Sequence, residues 1–159
     1  MERELRPTPW FGAPQALVLL GALITAAPAS AQHTRDSLII LQPEAMTGWQ
    51  TGRTRGVEYL NLYRSPADSG PFVARTRFQP GRGLGPHYHA RGTTITVIEG
   101  RFRLGIGEQV DSSTARAYPP GSFLVIPAGV AHFEWGEGET IIQLSGSGPL
   151  GFTRVAPSK

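Results

Sequence analysis

Glycine and proline interrupt this chain too often for long helices to form. There are 20 glycines and 14 prolines among 159 residues. Glycine adopts turn conformations that other residues avoid, and proline fixes φ and removes a donor, so both end regular elements. Between these breaks lie short runs rich in β-branched and aromatic residues, which predict strands. The runs are 37–41 (SLIIL), 57–63 (VEYLNLY), 72–78, 94–99, 101–107, 115–118, 122–126, 130–135, 139–144 and 152–155. Residues 42–56 read as a loop in which 45–49 can form a helical turn, and 65–70 (SPADSG) reads as a turn. Glu99-Gly100, between two runs, predicts a β-hairpin. A succession of about ten short strands predicts an all-β sandwich or barrel, the double-sheet jelly roll included.

Two glycine-bounded segments hold three of the four histidines. Residues 81–100 (GRGLGPHYHARGTTITVIEG) carry His87 and His89. On a strand, residues i and i+2 share a face, with Cα atoms about 6.5 Å apart. Two imidazoles so placed can converge on one metal ion. Residues 121–136 (GSFLVIPAGVAHFEWG) carry His132 on another predicted strand. The fourth, His33, lies in a polar segment near the start. There is no cysteine, which excludes disulfides and thiolate ligands. Tyr88 alternates away from the histidines and reads as outer packing, while Thr94, Ile95 and Val97 read as strand interior. Residues 146–151 (GSGPLG) match a dinucleotide-binding fingerprint in spelling only. Pro149 and the short remaining chain leave no room for the helix and βαβ unit it requires, so the segment reads as a loop.

These residues resemble the two motifs of the cupins. In the first motif, Gly81, His87, His89 and Gly100 stand at the family's spacing, and Thr93 stands where the family has Glu. In the second, Gly121, Pro127, Gly129 and His132 match, and Gly136 replaces an Asn. The likeness is to a small single-domain cupin of the cupin 2 kind and covers about residues 55–155. It implies a double-stranded β-helix, the RmlC-like jelly-roll barrel, around a divalent metal ion: Fe, Mn, Zn, Ni or Cu. Carried over, His87, His89 and His132 are metal ligands, with Thr93 at the fourth position. A neutral hydroxyl is a poorer ligand than a carboxylate, so the resemblance here favours three histidines with water completing the shell. Glu134, two residues past His132, is either an inward partner or general base, or an exposed strand-end acid beside Glu137 and Glu139.

The N-terminus predicts export. Arg3 and Arg6 precede an apolar run, 16–24 (ALVLLGALI), and Ala29-Ser30-Ala31 forms a small-residue cleavage site. The expected organisation is a signal peptide over 1–31, an extension over 32–54 and the barrel over 55–155, in a bacterial periplasmic or secreted protein. The apolar run is too short to span a bilayer, which needs about 20 residues, so no stable membrane insertion is expected after cleavage. Net charge is +3, and residues 51–103 hold nine arginines against Glu58, Asp68 and Glu99. Many alternate with apolar residues, as in Arg75-Thr76-Arg77-Phe78, the pattern of a solvated outer sheet face. A nucleic-acid binder would instead gather basic residues into one patch with aromatics, so no nucleic-acid partner is expected.

Three functional readings follow. The first is a metal-dependent enzyme, a dioxygenase in type, acting on a small anionic or enolisable organic molecule. Three neutral imidazoles leave a dication's charge uncancelled, which attracts anions and keeps coordination positions open. The second is a non-catalytic module that captures a small ligand. A protein-interaction role for the arginine-rich face is a third, weaker reading. Exposed edge strands and the resemblance favour a homodimer.

Overall fold

The computed structural model describes residues 38–156, and all the elements below belong to the unit Ile39–Lys159. The expected signal peptide falls outside the described residues. A 3₁₀ turn, Pro43–Ala45, precedes β1 (Gln50–Thr51), β2 (Val57–Tyr63), β3 (Gly70–Phe78), β4 (Gly83–Tyr88) and β5 (Thr93–Glu99). There follow β6 (Phe102–Ile106), β7 (Arg116–Tyr118), β8 (Phe123–Ile126), β9 (His132–Gly136), β10 (Thr140–Gly148) and β11 (Thr153–Arg154). They form two antiparallel sheets, ordered β1-β2-β3-β10-β5-β8 and β11-β4-β9-β6-β7. From β3 to β10 the chain crosses between sheets at almost every connection, which is the jelly-roll arrangement. Among the described residues, no helix is long and apolar enough to cross a membrane.

Alternation on the strands builds the core. On β3, Phe72, Ala74, Thr76 and Phe78 are buried, while Arg75 and Arg77 turn the other way. Phe78 joins Val57, Leu84, Ile95, Val97, Phe102, Leu104, Ile126 and Ile142 between the sheets. The arginines lie on the outer face: Arg77 pairs with Glu58 at 2.8 Å and lies 4.4 Å over the Trp49 ring. Arg101 and Arg103 share Glu137.

Three expectations are corrected. Glu99-Gly100 does not close a hairpin: β5 pairs with β8 and β10, and β6 with β7 and β9. Gly100, at φ +75°, instead turns the chain from one sheet to the other, and a Cβ there would collide with the Glu139 carbonyl. Buried Thr140 fills that corner, accepting from Arg101 N at 3.2 Å. Residues 38–41 form no strand, and Ile39 and Ile40 are exposed. β-propensity needs a partner edge, and β1, inside the expected loop, takes the free edge of β2. The GSGPLG segment is only half loop: Gly146 to Gly148 extend β10, because β3 offers partners as far as Gly70.

Phe102 is fully buried with its ring 6.0 Å from that of Phe78. Phe102→Ala should lower stability by about 3–5 kcal/mol, read as the midpoint shift in urea unfolding. A loss under about 1 kcal/mol would mean that this residue does not hold the two sheets together.

Candidate metal centre

The site begins with an irregularity in β4. Leu84 lies opposite Glu134 of β9, and His87 opposite His132. Three steps on β4 therefore match two on β9, and the extra residue falls at Gly85-Pro86. Proline has no N–H to give to a ladder, so strands yield at such positions. A regular strand would put Leu84 and His87 on opposite faces; the bulge turns both inward. Both are buried. β4 ends at Tyr88, which is exposed, and His89 follows just beyond, buried. His89 is tied down where its carbonyl accepts from Gly129 N at 2.9 Å.

The backbone fixes the three rings. Nδ1 of His87 lies 2.8 Å from the Gly85 carbonyl, Nδ1 of His89 is 2.6 Å from that of Gly151, and Nδ1 of His132 is 2.9 Å from that of Val130. A carbonyl only accepts, so each Nδ1 carries the proton and donates it. Each Nε2 is then left with its lone pair, as a metal ligand requires. One potential ligand atom from each ring falls within 4.8 Å of the others, and the His87 and His132 centroids are 4.2 Å apart. Nε2 of His87 is buried without a hydrogen-bond partner. Such orphans are uncommon, and a bound cation would satisfy this one. Imidazole donors suit Zn, Cu, Fe and Ni, so the residues fit a divalent ion. Burial holds all three imidazoles below their ordinary pKa, His87 at about 3, where its neighbours His132 and His89 and then Arg154 add repulsion.

Glu134 is not an exposed acid. It is 5% exposed, with Leu84 and Leu104 as its cross-strand neighbours. Of the two readings of the sequence, the exposed strand-end acid is wrong: Glu134 stands two residues past buried His132 on β9, the middle strand of its sheet, and is buried with it. Desolvation pushes its carboxyl up to about 8. Its Oε2 lies 3.7 Å from His132 Nε2 and has no hydrogen bond. With the imidazole neutral and the carboxyl protonated this contact is not an ion pair. Thr93 is buried at the start of β5, and its hydroxyl donates to the Ser145 carbonyl at 3.0 Å. That bond adds to the backbone ladder between β5 and β10.

A cavity of about 490 Å³ opens beside the cluster, with His87, His89 and Glu134 in its lining. Among the lining residues that sequence reasoning missed are Tyr59, Phe152 and Arg154. Tyr59 was within reach of strand alternation in β2. Phe152 and Arg154 carried no signal: they reach the site because β11 pairs with β4, setting Arg154 opposite His87. The Phe152 ring stacks on His87 at 4.4 Å.

Comparison with known proteins agrees with this architecture. The chain is 36% identical over 75 residues to oxalate oxidase 1 of Hordeum vulgare, covering 45% of this chain but only 37% of that protein. Two solved structures share the fold. The polyketide cyclase RemF of Streptomyces resistomycificus matches with a TM-score of 0.61 at 19% identity, over 77% of this chain and 89% of its own. An RmlC-like cupin from Shewanella frigidimarina matches with a TM-score of 0.54 at 16% identity, over 72% and 89%. The family model described as the ChrR cupin-like domain matches residues 36–151, and the chain belongs to that family of cupins.

Proposed function

We propose that this protein is a metal-dependent enzyme of oxygenase type, acting on a small anionic or enolisable organic molecule. The observation that carries the reading is the set of three Nδ1–H···O=C bonds, which leave three Nε2 lone pairs free in a buried cluster whose candidate ligand atoms lie within 4.8 Å of one another. The similarity to an oxalate oxidase supports it. A bound divalent ion would supply Lewis acidity and open positions for ligands. The chain's own residues supply the rest. His87, His89 and His132 would hold the ion, while the Thr93 hydroxyl donates to the Ser145 carbonyl of β10. Glu134 would handle the proton: protonated, Oε2 can donate to an anionic ligand; ionised, it can accept from an enolisable carbon. The cavity would shield that exchange from bulk water.

We infer also that the protein is exported and dimeric. The signal-like N-terminus supports export. Phe123 and Val125, exposed on edge strand β8, support pairing with a second copy. Native mass spectrometry of protein made in a bacterial host should give a dimer beginning at Gln32. A monomer, or a chain keeping Met1, removes the corresponding half of this reading.

Elemental analysis of protein purified without chelators or nickel resin tests the metal directly. The expected result is one ion per chain. In His87→Ala, affinity should fall more than about a hundredfold, because losing mere orienting partners already costs about 10–100-fold. Tyr88→Phe, on the outward side, should keep full loading. Full loading in His87→Ala would end the metal reading and leave a ligand-binding module.

Acid titration gives a second check. Ligation needs neutral imidazole, and lowered pKa values keep the rings neutral into acid. Metal should therefore stay bound through about pH 6.5, the ordinary histidine value, and leave only in distinctly more acid solution. In the metal-free protein, the depressed histidines contribute stability that is present above about 6.5 and lost as pH falls toward 3. Glu134 has the opposite sign: its contribution is complete below its ordinary 4.5 and lost as pH rises through about 8. Three histidines outweigh one carboxyl between these limits, so thermal stability of the metal-free protein should peak near pH ~6.5. A metal-free protein most stable near pH 4 would contradict the buried, neutral histidine cluster.

A further inference from the structure

We propose that the cavity selects an organic acid with a ring-sized apolar body, held with its acid group on the Arg154 side of the histidine cluster. The orientation of the acid rests on the metal reading above; the apolar body rests on the walls alone.

The walls come first. Ala74, Leu84, Leu144, Leu150 and Phe152 line the space, which at about 490 Å³ is in the range of pockets that enclose drug-sized molecules. An acid as small as oxalate would leave most of that apolar surface wet. A body the size of one or two rings would cover it, and burial of apolar surface is favourable in proportion to the area removed from water.

The charges come second. Arg53 and Arg154 line the cavity, and Glu134 is the lone carboxylic acid in the lining. Arg154 has no carboxylate partner among the described residues. Its Nη2 donates to Thr54 Oγ1 at 3.2 Å, and its guanidinium lies 5.7 Å from the Phe152 ring centroid. Phe152 in turn stacks on His87. The cation is thus held one ring away from the histidine cluster, with N–H groups left to grip an anion. Guanidinium suits this task because its donors form a planar fork that matches a carboxylate. The cavity therefore offers a cationic edge beside the metal-binding residues and an apolar body behind it.

The test is calorimetric titration of the metal-loaded, full-length protein with acetate, benzoate, 2-naphthoate and the neutral 2-naphthylmethanol. Affinity should rise by roughly tenfold or more from acetate to 2-naphthoate, following the apolar area buried. Arg154→Gln should weaken both ring acids by roughly tenfold and leave 2-naphthylmethanol unchanged, since it removes a charge-assisted bond alone. Arg154 is exposed, so the variant disturbs no core. Acetate binding as tightly as 2-naphthoate, no binding of either ring acid, or equal weakening of acid and alcohol by Arg154→Gln would each overturn the proposal. Metal content measured on the same samples separates the two readings. A flat affinity series on fully loaded protein sinks this inference and spares the metal. The full series and the Arg154 effect on protein that takes no metal sink the metal reading and leave the cavity's selectivity standing.

Discussion

The site depends on a hydrogen bond that cannot form. Pro86 has no N–H, and the ladder between β4 and β9 gives way there, so one extra residue enters β4. That shift in parity brings His87 inward to face His132 and carries His89 to the same side. The bulge also leaves the Gly85 carbonyl free of the regular ladder, where it receives the His87 Nδ1 proton. One missing donor thus sets the direction of a ring and its tautomer together. Substituting Pro86 would offer the strand a regular rung, and with it a register in which His87 faces solvent.

What the bulge gathers, burial keeps uncharged. Three imidazoles sit below their ordinary pKa, His87 at about 3, and one carboxyl sits above its own, all chiefly for lack of water. Two buried atoms there, His87 Nε2 and Glu134 Oε2, have no hydrogen-bond partner among the described residues. Leaving such atoms unpaired carries a penalty, part of which a cation held by the histidines would return as coordination. The departure at Thr93 belongs to the same logic. A carboxylate there would bring a negative charge into the buried end of β5, where a hydroxyl instead closes a bond between two strands.

Much of this was legible in the sequence, for identifiable reasons. Strand periodicity found β2, β3, β5, β6, β8 and β9 to within two residues or so, because one face of each is buried and the pattern must alternate. The two motifs located three histidines from spacing alone. Long-range information was what the sequence lacked. Glu99-Gly100 has the residues of a hairpin turn, but whether the next strand folds back or crosses to the other sheet is decided by β9 and β10, which lie far along the chain. Residues 38–41 have strand propensity and no partner. Glu134 stayed open between an inward acid and an exposed one beside Glu137 and Glu139; its burial comes with Leu84 and Leu104 on the strands either side. Phe152 and Arg154 reach the cavity through the pairing of β11 with β4, which no local pattern encodes.

The pairing of β3 with β10 has a further consequence, for the rate at which the chain finds its fold. That ladder joins Gly70 to Gly148 and Phe78 to Thr140, and it forms the middle of the larger sheet. Almost the whole domain must be present before its most extensive contact can form. Loop-closure entropy must be met before such non-local contacts return anything, so folding of this topology is slow next to that of helical proteins of equal length. A chain growing on the ribosome would hold β2 to β9 without the strand that bridges them. Its edges stay open until β10 is made, which gives a chaperone time to act.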